Sequence, residues 1–267
     1  MTADIHLADA ALAALRSPAP RRDPANGFTC DLSVDEFTLV HEAGYEPLGL
    51  VTGSAIYHIG FRWPLGWSAS QEIPQLSAAM YQARNAAMNR LLLEAQQVGA
   101  EGIVGVRLTI DFENWGDGLA EFIAIGTAIG RRGAGRRADW PWTSDLSGQD
   151  FWSLTRAGYV PTGLVMGACV WHVPYQRLGQ WFGRMGQNVE LENFTRAFYE
   201  ARELAMERMQ SEAARVQGEG VVGVQLQERS HAWGSHTIEF LAIGTAIRSI
   251  AGHPGAPPPR MAVPLDI

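Results

Sequence analysis

The sequence predicts an α+β protein built from two tandem two-layer α/β-sandwich domains, each a long helix lying on a small antiparallel sheet. Three observations predict it. The first is an internal repeat: Ala83-Arg84 matches Ala201-Arg202, Gly102 matches Gly220, Glu121-Phe122 matches Glu239-Phe240, and AIGTAI at 124–129 returns at 242–247, always 118 residues apart (201 less 83). The second is the order of periodicities inside each copy, which reads helix, long strand, long helix, hairpin. The third is size: 267 residues, 46% of them hydrophobic and 18% charged, suffice for two ordinary cores.

Upstream of the long helix the copies match at 114 (145 less 31), through Asp31-Leu32-Ser33 with Asp145-Leu146-Ser147, Gly44-Tyr45 with Gly158-Tyr159, and His58 with His172. The second copy therefore carries four extra residues between its strand and its helix. The boundaries that follow are a tail at 1–27, domain 1 at 28–130, a linker at 131–144, domain 2 at 145–250 and a proline-rich tail at 251–267.

Each element has a local reason. Residues 4–16 place Ile5, Leu7, Leu12 and Leu15 for a short amphipathic helix or a tail, stopped by the prolines at 18, 20 and 24. Ser33 is an N-cap for a helix through Phe37, Leu39 and Val40, with Gly44 at its end; Ser147 and Gly158 repeat that punctuation around Phe151, Trp152 and Leu154. Residues 45–61 and 159–175 read as long strands, bent or bulged at Gly49/Gly53 and Gly163/Gly167. The long helix buries Met80, Ala83, Ala87, Leu91, Ala95 and Val98, and in the second copy Phe198, Ala201, Ala205, Met209, Ala213 and Val216, before ending at Gly99 and Gly218. The hairpins then carry Trp115-Gly116 and Trp233-Gly234 at their tips.

Composition excludes several functions. A formal charge of −7 argues against general binding to nucleic acid, and the four arginines of the linker RRGAGRRADWPWTS lack the aromatic interleaving of a strand-stacking surface. Cys30 and Cys169 lie at non-equivalent places and are expected to be free thiols in a reducing compartment. With no basic leader and no apolar run near the ~20 residues of a membrane span, a cytoplasmic location without membrane insertion is expected.

A lone subunit looks incomplete. Along 122–129, Phe122, Ala124, Gly126 and Ala128 form a flat face suited to the alanine stripe of the helix, whereas Ile123, Ile125 and Ile129 form a bulky one. The second copy repeats this with Leu241, Ile243 and Ile247. One helix covers one face of a small sheet, so these six residues, with Trp115 and Trp233, are the expected oligomer interface of a symmetric homo-oligomer. The tails and hairpin tips are the places where another protein would dock.

The pattern Glu190-x3-Phe194-Thr195-x2-Phe198-x2-Ala201-Arg202, followed by Glu212-Ala213, Gly220-Val-Val-Gly-Val and Glu239-x4-Gly244-Thr245-Ala246, resembles the YbjQ family, which is labelled for heavy-metal binding. Glu72, Leu76, Ser77, Met80, Ala83-Arg84, Glu94-Ala95 and 102–106 repeat it in the first copy. The resemblance implies a dodecin-like two-layer subunit assembling as a pentamer with exchanged strands, here five chains supplying ten domains. The family's paired glycines before the glutamate are replaced by Ser70-Gln71 and Asn188-Val189, which departs from any ligand loop there.

For chemistry, His58 and His172 occupy equivalent strand positions and are the metal candidates for a divalent ion, with His231 and His236 beside one hairpin tip. Hydrogen-bonded structural histidines are the commoner use of such positions, no CxxC or HExxH is present, and no cofactor is otherwise called for. Arg84, Arg90, Glu94, Arg202, Arg208 and Glu212 are spaced for ion pairs or subunit contacts rather than acid/base work. No nucleophile stands beside a base, so the expectation is a non-catalytic, self-assembling ring or scaffold protein, with a metal- or small-ligand-binding ring as the alternative.

Overall fold

The computed structural model describes residues 27–58, 70–111, 119–133, 140–173, 192–230 and 237–250. In the first copy, α1 (Val34–Glu42) leads into β1 (Tyr45–His58), then the short β2 (Gln71–Glu72), α2 (Pro74–Gln97), β3 (Gly102–Asp111) and β4 (Leu119–Arg131). In the second copy, β5 (Trp142–Thr143) precedes α3 (Gly148–Arg156), β6 (Tyr159–His172), α4 (Glu192–Arg215), β7 (Gly220–Ser230) and β8 (Thr237–Ser249). The predicted helix at 4–16, the hairpin tips with Trp115 and Trp233, His231, His236 and the tail at 251–267 lie outside the described residues.

The capping signals act as expected. Ser33 and Glu36 form a reciprocal capping box at the start of α1, Ser147 caps α3, and Gly44 and Gly158 take φ of 88° and 84° after the helix ends. The long helices differ from expectation at one end. α2 is closed by Gly99 in the left-handed region, but in α4 the equivalent residue is Gln217, at φ 58°, one position before Gly218. The predicted bend at Gly53 and Gly167 is also corrected: the register shifts fall at Pro47/Gly49 and Pro161/Gly163. Gly53 and Gly167 instead let a helix backbone approach the sheet, since a Cβ on them would lie 2.1 Å from the Ala87 carbonyl oxygen and 1.7 Å from that of Ala205.

Two four-stranded sheets result, ordered β1-β4-β3-β5 and β2-β6-β8-β7. Each ends in a strand from the other copy. Segment 142–144, expected to close a surface linker, is thus structural: Trp142–Thr143 pairs in parallel with Gly102-Ile103, and Thr143 and Ser144 are buried. In return Gln71-Glu72 pairs with His172 and Trp171 of the second copy.

The flat faces pack as predicted. Phe122, Ala124 and Ala128 are buried with Met80, Ala83, Ala87, Leu91 and Ala95 of α2, while Ala242 and Ala246 meet Met209 and Ala213 of α4. The bulky faces differ between copies. Leu241 and Ile243, with Leu164, Met166, Ala168 and Val170, join the α2 core and are sealed inside one chain. Ile129 is buried with Phe151, and Ile247 is 9% exposed, whereas Ile123 and Ile125 stay half-buried beside exposed Leu50 and Ile56. The first copy therefore covers the bulky face of the second, whereas among the described residues the second copy covers only the Ile129 end of the first, through Phe151.

Candidate functional site: the seam between the copies

The seam begins with an edge-strand problem. β6 is an edge along most of its length, and its outward N–H groups need acceptors if they are buried. The first copy supplies them from side chains. The Ala168 amide donates to the Tyr81 hydroxyl at 2.9 Å and the Val170 amide to Ser77 Oγ at 3.1 Å, while Ile73 donates its own amide to the Val170 carbonyl at 2.8 Å. The second copy contributes the rest, with Met166 N–H donating to Glu212 Oε2 at 2.7 Å and Leu164 N–H to Thr143 Oγ1 at 3.0 Å. These residues alternate along one strand because the outward amides recur at every second position.

Charges close the same surface. Arg208 donates both terminal nitrogens to Glu72, at 2.6 and 2.9 Å, and one of them to the Ala168 carbonyl at 2.8 Å. Burial works against the Arg208 charge, but the Glu72 hydrogen bond and carboxylate outweigh it and hold the guanidinium more firmly protonated. Arg84, itself buried, pairs with Glu212. Of the helix-face charges singled out in the sequence, Arg84, Arg208 and Glu212 thus bond across the copies, whereas Arg202 pairs with Glu203 on its own helix and Arg90 and Glu94 bond to β1.

A second contact lies at the other side. Trp142 N–H donates to the Glu101 carbonyl (3.2 Å), Ser144 N–H to Ile103 (2.9 Å), and Gly105 and Val106 donate back to Leu146 and Ser144 (2.9 Å each). The Trp142 ring lies on Gly102, where a Cβ would come within 2.1 Å of it, so glycine is required there for room. Trp142 stacks on Phe151 at 5.4 Å, and Tyr45 meets both edge-on; the pair fills a cup made by Val40, Tyr45, Val104 and Ile129. Thr245 Oγ1 accepts from the Asp145 amide at 3.0 Å and fixes this arm to its own sheet, as Thr127 does for Asp31 at 3.1 Å. That bond gives the recurring threonine of Gly-Thr-Ala the same role in both copies.

Cys169 faces away from the seam into the α4 core. Burial, with a smaller push from Glu72 and opposed by Arg208, raises its thiol to about 12. Its folded pKa lies above the unfolded one, so the stability it contributes is present below the unfolded value of ~8.5 and is lost as pH rises towards 12. We expect iodoacetamide at pH 8 to leave Cys169 unmodified in the folded protein and to modify it after denaturation, read by peptide mass mapping.

Among the described residues, no group of three or more His, Cys, Asp or Glu converges as a metal site. His58 ends β1 opposite Leu119, and His172 is a buried residue opposite Thr237. The two candidate histidines thus end equivalent strands of separate sheets. Among the described residues no helix is long and apolar enough to cross a membrane.

Against known proteins, residues 45–131 and 158–249 each match the model of the YbjQ family, described as "Putative heavy-metal-binding". The chain belongs to the YbjQ family. The two YbjQ matches coincide with the two copies seen in the fold, each running from the start of the long strand to the end of the last one. The chain is 44% identical over 243 residues, 90% of its own length and 92% of the other, to the encapsulin nanocompartment protein Rv1762c of Mycobacterium tuberculosis. It is 38% identical over 88 residues to a UPF0145 protein of Shewanella frigidimarina, 32% of this chain and 80% of that one. A UPF0145 protein of Methanococcus maripaludis is 38% identical over 86 residues, 31% of this chain and 75% of that one. These shorter relatives are about one YbjQ copy long, so duplication separates this chain and Rv1762c from them.

The ion-pair residues were legible in the sequence as a recurring set, but Trp142 was not. It sits in a Gly-, Pro- and Arg-rich stretch whose composition is that of a connector, and its alignment with Phe28 was the signal available.

Proposed function

We propose that the chain is a non-catalytic structural subunit that assembles with copies of itself into a closed ring, as part of a protein compartment or scaffold. The observation that carries this reading is the 44% identity to an encapsulin nanocompartment protein over nearly the whole of both chains. The seam supports it physically, because the copies meet head to tail: different surfaces face each other, and such a contact, repeated from chain to chain, makes a ring where its rotation closes. A ring closed by whole chains contains an even number of copies, and five chains with ten copies is the size we propose. Free cysteines at 30 and 169 agree with work in a reducing cytoplasm.

Native mass spectrometry of the purified protein is expected to show a particle of five 29.1 kDa chains. A solitary 29.1 kDa species at micromolar concentration would overturn the assembly reading. The alternative, a ring that holds a divalent metal or small ligand, rests on the family description and on His58 and His172. Elemental analysis of the same particle, with His58→Ala and His172→Ala as controls, separates the two.

A further inference from the structure

We propose that one chain joins the next by repeating its internal seam, with the Phe28/Phe37 arm of one chain seated on the β7 edge of a second copy. This rests on the self-assembly reading and names the surface that performs it. Each seam residue has a counterpart in the other copy. Trp142 corresponds to Phe28, Phe151 to Phe37 and Gly102 to Gly220. Trp142 lies on Gly102, whereas a Cβ on Gly220 meets nothing within 4 Å. Phe28 is 47% exposed yet already stacked on Phe37 at 5.9 Å, as Trp142 is on Phe151. The arm is formed and the seat is open.

The seat itself is present. The cup that receives Trp142 and Phe151 is Val40, Tyr45, Val104 and Ile129, all buried; its counterpart is Leu154, Tyr159, Val222 and Ile247, of which the first three are half-exposed. Along the edge, Val106 is 3% exposed and its counterpart Val224 is 39% exposed. Gly223 holds the same left-handed bulge as Gly105, φ 66° against 62°, so the backbone that would receive the Leu32 and Cys30 carbonyls already has its shape.

The opposite half of the seam gives the same answer. Tyr81 binds β6 in the chain; its counterpart Tyr199 is 50% exposed on α4. Arg84 pairs with Glu212; the counterpart Arg202 rests against its neighbour Glu203, and Glu94, the counterpart of Glu212, already accepts the Thr52 amide at 2.6 Å as Glu212 accepts Met166. Exposed Leu50 and Ile56 are the apolar surface that α4 of a second copy would cover, as α2 covers Leu164 and Val170 here. One contact must differ: Val34 replaces Gly148, where a Cβ would lie 2.7 Å from that of Glu36, so α1 must stand slightly further from α3 of the second chain.

The test uses two full-length variants. Gly220→Trp fills the seat and Phe28→Ser with Phe37→Ser removes the arm; both alter exposed or half-exposed positions. Each alone is expected to be a folded 29.1 kDa monomer in sedimentation, and an equimolar mixture is expected to form a dimer, because the mixture holds one intact arm and one intact seat. Cys30, the counterpart of buried Ser144, is then alkylated quickly in either variant and slowly in the wild-type particle. Variants that assemble like the wild type, or a mixture that stays monomeric, would overturn this interface and leave self-assembly standing. A monomeric wild type would instead overturn the assembly reading itself. Should either variant fail to fold, Arg202→Glu and Glu94→Arg replace them: each is expected to weaken assembly by about thirtyfold or more and the two together to restore it, and any other pattern counts against the interface.

Discussion

Replacing Gly167 by alanine is expected to cost about 3 kcal/mol of stability or more, seen as a fall of about 10 °C in melting temperature by calorimetry. The new Cβ would lie 1.7 Å from the Ala205 carbonyl oxygen, 2.7 Å from its carbon and 2.8 Å from the Met209 nitrogen. These are backbone atoms of α4, so no rotamer change relieves the overlap and the helix must move off the sheet. That movement would loosen the contacts of Val165, Met209, Ala213 and Ala242, which form the core beneath it. Gly163→Ala is the control. Its Cβ would sit 3.7 Å from Val216, an ordinary contact, and its effect is expected within about 1 kcal/mol of zero.

Arg84→Ala is expected to destabilise the protein by about 3–5 kcal/mol, because it removes one partner of a largely buried ion pair and leaves the other. Glu212 would keep its bond from the Met166 amide but lose the positive charge opposite its second oxygen. The damage falls on the seam, so the two copies should separate before either unfolds. Denaturant titration is expected to turn from one transition into two. A single transition with an unchanged midpoint would show that Arg84 contributes nothing to holding the copies together. Arg84→Lys should recover part of the loss, since lysine keeps the charge without the planar fork.

Much of the fold is legible in the residues. The capping serines, the alanine stripe and the flat strand at 122–128 each follow from a periodicity or a backbone preference, which act over a few residues and so leave a local trace. The left-handed residue after α4 was missed by one position, because glycine attracts the assignment and Gln217 adopts that conformation without being glycine. Trp142 was missed for a different reason. What makes it structural is a glycine 40 residues earlier (142 less 102) on another strand, and nothing in its own neighbourhood records that.

By itself, the sequence determined that there are two copies, what each copy is made of, and that each sheet carries apolar side chains on both faces. Only the tertiary structure decided which copy covers which. The two bulky faces are alike in composition, yet Leu241 and Ile243 are sealed beneath α2 while Ile123 and Ile125 are left half-open. The reason is directional: a head-to-tail contact used once joins the tail of one copy to the head of the other, and its two remaining surfaces stand at opposite ends of the chain.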